Sequence, residues 1–454
     1  MNPAEKEKTE TQDRFHYLTE TKVSKLITRL SVPTIISMLV TAVYNAADTF
    51  FVGRISTQAT AAVGLAFSAM AVIQALGFFY GQGSGNCLSR LLGAKNQKAA
   101  EQMAATGFFL SIITGIVVAA CTFIFIKPLC IFLGAGETTL KETTDYLGII
   151  VLGAPFMMAQ FVINNQLRFQ GSAFYAMTGL LSGAVLNIAL DPLLIIVFDM
   201  GVRGAAIATV SGQAISFFVL LAGTRRGENI RISIKNLRIN FHNVKEIVNG
   251  GIPALFRQGL AAVATLLLNR AAGFYGDAAI AGMSITTRVN MFIGSALIGF
   301  GQGYQPVCAF NYGAGKKQRV REGYFFCVKY GTIFLSVMSL LCLIFAPHII
   351  RFFRDDSAVV AVGAVALRCQ AAALCLMPCI VMTNMMLQSI GKGLKASVTA
   401  SARSGLFFIP LILILPELFG LTGVEITQAI SDILSVTVSI PFAFSELKKM
   451  KGGE

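Results

Sequence analysis

The chain has 454 residues, 55% of them hydrophobic and only 13% charged, with a mean hydropathy of +0.68. A soluble chain of this length would carry roughly 25% charged residues, so the composition excludes a soluble globular protein and predicts a polytopic helical membrane protein. The formal net charge of +14 raises nucleic acid as a partner, and its placement along the chain argues against that reading.

Residues 1–30 hold six Lys/Arg and five Asp/Glu with no apolar stretch. Such a tail is not a cleavable signal peptide, so the first apolar run is expected to act as the insertion signal. Apolar runs of about 20 residues predict twelve spans, at 31–52, 59–80, 102–126, 146–166, 173–198, 204–224, 249–274, 279–304, 323–346, 363–388, 396–415 and 425–444. With the N-terminus inside, the cytoplasmic segments carry 25 Lys/Arg and the external loops carry six. That asymmetry predicts both termini on the cytoplasmic side of a cell membrane.

The sequence also meets itself at an offset of 220 residues. Pro33 falls on Pro253, GQG at 81–83 on GQG at 301–303, and Leu167 and Gly171 on Leu387 and Gly391. The segments GAKNQKAAE at 93–101 and GAGKKQRVR at 313–321 align at the same offset. A constant offset through Gly and Pro positions marks an internal repeat. Six spans per repeat return the chain to its starting side, so the two halves share one orientation. The expected fold is all-α, with an N-lobe at 31–224, a linker at 225–248, a C-lobe at 249–444 and a tail at 445–454. Two like-oriented six-helix lobes suit an alternating-access transporter with substrate at the lobe interface.

Several motifs reduce to bland readings. The nine Cys show no metal-finger spacing, and Cys375 and Cys379 form a C-x3-C on one helix, where small buried hydrophobes are expected. His16, His242 and His348 lie outside the spans. An intramembrane enzyme would need a nucleophile–base pair or a metal-ligand cluster, and none is visible. The GQG motifs have no preceding strand and no following Lys-Ser/Thr, which rules out a phosphate cradle.

Residues P-T-I-I at 33–36, Y-N-A-A-D-T-F-F-V-G at 44–53, A-A-V-G at 61–64 and N-N-Q-L-R-F-Q-G at 164–171 carry a family resemblance. So do L-N-I-A-L-D-P at 186–192, G-A-A-I-A-T at 204–209 and N-Y-G-A at 311–314. From about residue 25 to 445 the chain resembles the MATE (multidrug and toxic compound extrusion) family, and within it the bacterial DinF-like branch. The resemblance implies a V-shaped pair of six-helix lobes exporting organic compounds by cation-coupled antiport. It implies H⁺ or Na⁺ as coupling ion, no other cofactor, small organic substrates and membrane lipid as partners, and a monomer. In that branch the first-lobe positions carry the coupling ion.

The residues themselves point to the same place. Asp48 lies 17 residues into the first span, ~26 Å up, and Asp191 lies 18 residues into the fifth, ~27 Å up. A carboxylate in hydrocarbon costs about 2.5–3.5 kcal/mol on insertion scales, so two at one height call for a function. Tyr44 and Asn187 sit one turn before Asp48 and Asp191, on the same helix faces, and Thr209 of the sixth span reaches the same level. Such an oxygen cluster can hold Na⁺, with Asp48, Asn187, Asp191 and Thr209 as ligands. It can equally bind a proton, since two close carboxylates in low dielectric do not both ionise readily. The alternative is a pair of satisfied buried acids. The repeat argues against it, because Asp48, Asn187 and Asp191 become Leu268, Phe407 and Leu411 in the second lobe.

The second lobe carries Arg257, Arg270, Arg288, Lys329, Arg368 and Arg403 within its spans, with Glu425 and Asp432 on the last. Arg257 and Arg403 should sit ~10–12 Å above the cytoplasmic face. They either snorkel or form an anion-binding or gating pair on a substrate cavity. Asn164, Asn165 and Met157 are further candidates for lining it, although Met-rich patches more often pack. Besides the cation-coupled exporter, a flippase or exporter of an anionic or lipid-linked metabolite therefore stays open.

Overall fold

The computed structural model describes residues 14–451, apart from the side chains of residues 45–47, 49 and 57. Asn45 and Thr49 of the first motif thus lie outside the described side chains. A backbone in hydrocarbon must satisfy its own hydrogen bonds, and every long element described is helical. The elements are α1 (Val23–Val52), α2 (Thr57–Gly93) and α3 (Gln97–Ile124), then a bent α4 (Leu140–Leu152 and Ala154–Phe169). Next come α5 (Ala173–Pro192, continued as a π-turn over Leu193–Val197), α6 (Gly201–Gly223) and α7 (Phe241–Gly273). The chain ends with α8 (Asp277–Gly313), α9 (Lys317–Phe353), α10 (Ser357–Leu374 and Met377–Ser389), α11 (Gly393–Phe419, with a π-turn over Ala402–Leu406) and α12 (Leu421–Lys451).

Each predicted span falls on one of these elements, and most helices run well past it. The expected tail boundary at residue 31 is one example: α1 starts at Val23, and residues 14–20 form a further helical turn before it. Among the described residues, ten helices are individually long and apolar enough to cross a membrane, and the two halves of α4, bent by 50°, make eleven. The exception is α8, which is 37 residues long but diluted by Thr286, Thr287, Arg288 and Asn290. Two of them face protein: Thr286 donates to the Gly363 carbonyl at 3.2 Å, and Asn290 reaches Gln370 at 2.5 Å.

Local chemistry sets the helix ends. Ser56, Asn96 and Asp356 accept hydrogen bonds from the backbone N–H groups of Ala59, Ala99 and Ala358 at 2.9, 3.2 and 2.9 Å, the usual N-cap arrangement. The repeat reaches the backbone as well. Gly171 and Gly391, 220 residues apart, both turn left-handed, with φ of 84° and 79°. Lys95 and Gly315, another pair at that offset, do the same with φ of 59° and 77°. At position 95 a lysine adopts a conformation that glycine takes without steric cost.

Helices α1–α6 and α7–α12 make two bundles. Between helices in a membrane small residues allow close packing, and the seam uses them. A Cβ on Gly83 would lie 2.2 Å from the Ile247 carbonyl oxygen, and one on Gly303 would lie 2.2 Å from Ser31 Oγ. Ser31 donates to the Phe300 carbonyl at 3.1 Å, Ser89 to that of Pro306 at 3.4 Å, and Arg90 pairs with Glu246 at 2.6 Å. The turn at residues 14–20 joins in, with Asn311 donating to the Leu18 carbonyl at 3.1 Å and Lys316 to that of Thr19 at 3.3 Å. Among the described residues, these hydrogen bonds between bundles lie in the half that carries the termini and the linker.

Candidate functional site

Helices α5 and α6 touch along glycine. A Cβ on Gly183 would lie 2.5 Å from the Gly212 carbonyl oxygen, and one on Gly212 would lie 2.8 Å from that of Gly183. This contact brings Asn187, one turn beyond Gly183, against Thr209. The surrounding donors and acceptors orient the Asn187 amide. Its nitrogen donates to Asp191 Oδ2 at 3.2 Å, and its oxygen accepts from the Thr209 N–H at 3.1 Å. The same end of the amide lies 3.4 Å from the Thr209 hydroxyl. Asn187, Asp191 and Thr209 are all buried. Beyond Asp191, Pro192 removes a backbone donor and the helix widens into its π-turn, a distortion often found at functional positions.

Helix α1 completes the cluster. Asp48 lies within electrostatic reach of Asp191, and Tyr44 lies within reach of both carboxylates. Oδ1 of Asp48 and Oδ1 of Asp191 are buried without a hydrogen-bond partner among the described residues. Unpartnered buried carboxylate oxygens are costly unless a proton or cation joins them, and the donor set of two carboxylates, an amide and a hydroxyl suits either. No group of three or more His, Cys, Asp or Glu forms a metal cluster among the described residues, so a cation here would rest on two carboxylates and neutral oxygens. Tyr146 of α4 is a member that the sequence reading missed. It is buried, its hydroxyl donates to Met70 Sδ at 3.8 Å, and it lies within electrostatic reach of Asp48 and Asp191. Neither motif nor periodicity points to it, because its helix begins outside the matched segments. The repeat counterpart of Asp48, Leu268, is packed in an apolar cluster with Phe408 and Ile412.

The residues expected to line a substrate cavity each have defined surroundings in the structure. Met157 is buried in the apolar core of the first bundle. Asn164 donates to the Ala176 carbonyl at 2.9 Å and so ties α4 to α5. Asn165 donates to the Phe161 carbonyl at 2.7 Å and accepts from Arg168. Arg403 does not pair with Arg257 on an open wall. Its guanidinium binds Asp432 at 2.7 Å, Gln428 donates to the same carboxylate at 2.9 Å, and the anion-binding role expected of Arg403 has no free charge behind it. Arg257 instead donates to Asn384 at 3.3 Å and lies within electrostatic reach of Arg168. Arg168, just past the predicted fourth span, is buried across the seam from it, bound to Gln302 and Asn165 with Nε unpartnered. No ion pair joins either arginine to a described carboxylate.

The sequence profile of the MatE family matches residues 33–193 and again 253–414, together more than half of the chain. The chain belongs to the MatE family. The two matches begin 220 residues apart, the same offset as the internal repeat. Over 424 residues the chain is 30% identical to the multidrug export protein MepA of Staphylococcus aureus, covering 93% of this chain and 94% of that protein. It is 28% identical to the MepA of Staphylococcus haemolyticus, over 95% and 96% of the two chains. Among solved structures it is similar to the outward-facing conformation of a multidrug resistance MATE family transporter of the MOP superfamily. That similarity has a TM-score of 0.90 and 27% identity, over 96% of this chain and 98% of the other. A MOP superfamily transporter from Pyrococcus furiosus, described as having a binding pocket of reversed polarity, matches with a TM-score of 0.90 and 26% identity, over 96% and 98% of the chains.

Proposed function

We propose that this MatE protein exports small organic compounds across the cytoplasmic membrane, driven by H⁺ or Na⁺ entering at the Asp48–Asp191 cluster. The observation that carries the reading is the pair of buried carboxylate oxygens in the first bundle that have no partner among the described residues. Both termini lie inside, in keeping with the distribution of Lys and Arg. The seam is then closed on the cytoplasmic side and the cleft faces outward. In this state the cluster takes up a proton or Na⁺ from outside. Neutralisation removes the repulsion between the two carboxylates and the cost of a buried charge, which lets the outer half of α1 repack and displace substrate. Release of the ion inward resets the carriers. Pro33 and Pro253 occupy matching positions in α1 and α7, each lacking a backbone donor, where a helix bends at reduced cost. The multidrug export activity of the MepA relatives supports organic drugs as the substrate class. Purified protein in vesicles, given a proton or a Na⁺ gradient separately, tests this. Drug movement under neither gradient would sink the reading.

A second reading rests on Arg168 and Arg257. Two guanidiniums near one another at the seam without a described acid favour an anionic or zwitterionic substrate, or a lipid-linked one. Vesicle transport of matched compounds of opposite charge separates the two readings, since only the second requires Arg257→Ala to spare cations and weaken anions.

A further inference from the structure

A groove of about 890 Å³ opens on the outer surface of the seam, near the termini. One wall is the exposed stripe Lys22, Lys25, Arg29 and Val32 at the start of α1, and the other is Phe326 and Tyr330 on α9, with Phe300 of α8 as its floor. Lys22 directly precedes α1, and spacings of three, four and three residues place it with Lys25, Arg29 and Val32 on one helix face. Along that face the chemistry changes once: three cations come first, then apolar Val32, over about 15 Å. None of the three cations pairs with a described carboxylate, and Arg29 stacks over Tyr17. Across the groove, Lys329 lies over the Tyr330 ring, and the rings of Phe326 and Tyr330 are 4.6 Å apart. The floor is where the bundles meet, through the Ser31–Phe300 hydrogen bond.

We propose that this groove binds an anionic phospholipid of the cytoplasmic leaflet, its phosphate on Lys22, Lys25 and Arg29 and its acyl chain along Val32, Phe326 and Tyr330. The order of charges and apolar groups along α1 matches a headgroup at the membrane surface and a chain below it. Juxtamembrane Lys and Arg attract anionic lipid, and aromatic rings favour the interfacial level. A free phosphate would use the cations and leave the aromatic wall unexplained. Because α1 belongs to one bundle and α9 to the other, the bound lipid bridges the closed seam.

The test is retention of lipid by the full-length protein, counted by native mass spectrometry after exposure to vesicles of phosphatidylglycerol or of phosphatidylcholine. Wild type should retain phosphatidylglycerol and not phosphatidylcholine, and millimolar glycerol phosphate should not displace it. Each cation removed should cost roughly fivefold in retention, with the Lys22→Gln, Lys25→Gln, Arg29→Gln triple variant retaining least. The Lys448→Gln, Lys449→Gln, Lys451→Gln triple variant removes equal charge from the same side and should change nothing. Tyr330→Ser should weaken retention while keeping all three cations. Equal loss in the two triple variants would reduce the groove to general surface charge and overturn the proposal. Equal retention of phosphatidylcholine, or displacement by glycerol phosphate, would overturn it too. If the triple variant does not fold, Lys25→Gln and Arg29→Gln singly must still show the graded loss.

Discussion

Gly183 on α5 and Gly212 on α6 each occupy the space where the other's side chain would stand, their carbonyl oxygens 2.5 and 2.8 Å from the missing Cβ positions. One turn further on, the same contact sets Asn187 between Asp191 and Thr209. A methyl group at either glycine must push the helices apart, because backbone and not a flexible side chain blocks it. Gly212→Val should therefore destabilise by about 1–3 kcal/mol and reduce export at least tenfold. Gly64→Ala, whose Cβ would meet nothing within 4 Å, should leave both unchanged. Thermal unfolding in detergent and vesicle transport measure the two effects.

Asp48→Asn and Asp191→Asn should each abolish ion-driven export while the protein still folds and inserts. The amide keeps the shape of the carboxylate but neither cycles a proton nor balances Na⁺. Leu268→Asp should not rescue Asp48→Asn, since Leu268 packs in an apolar cluster with no counterpart of Asn187 or Thr209. Export by Asp48→Asn at the wild-type rate would place the coupling site elsewhere.

Tyr146→Phe removes one hydroxyl from the cluster and little volume. The variant loses a hydroxyl within electrostatic reach of Asp48 and Asp191, so the ion dependence of export should shift while folding stability changes by about 1 kcal/mol. Transport measured against ion concentration, at saturating drug, reports the shift. An unchanged ion dependence would make Tyr146 a packing residue.

Asp432→Asn strands the Arg403 guanidinium. Breaking a fully buried pair costs about 3–5 kcal/mol, and here the loss should be smaller because Arg403 keeps 31% of its side-chain surface exposed. Replacing both by Leu should recover most of it. Urea or thermal unfolding of the single and double variants gives the coupling directly, and equal destabilisation of both would show that the pair contributes nothing.

A disulfide between cysteines at Ser31 and Phe300, in a background without the native thiols, should hold the seam closed on the side of the termini and stop transport. Reduction should restore it. A pair joining the outer ends of α2 and α8 should also stop transport, by preventing outward opening. Undiminished transport by either verified cross-linked protein would exclude movement between the bundles at that end.

The sequence by itself determined the helical membrane class, the places of the long apolar helices and the duplication of its parts. All three follow from local physics: a hydrocarbon solvent demands long apolar helices, and turns need particular residues, as Gly171 and Gly391 show. It also brought forward Asp48 and Asp191, because an acid in an apolar run stands out wherever the helix goes. Only the tertiary structure decided the partners. Tyr146 of α4 joins the carboxylates of α1 and α5, Arg168 lies near Arg257 across the seam, and Arg403 is held by Asp432 of the next helix. Spacing along one helix specifies which residues share a face. Which neighbour that face meets depends on helix rotation and close approach, here set by glycines such as Gly183 and Gly212, and hydropathy carries no record of it.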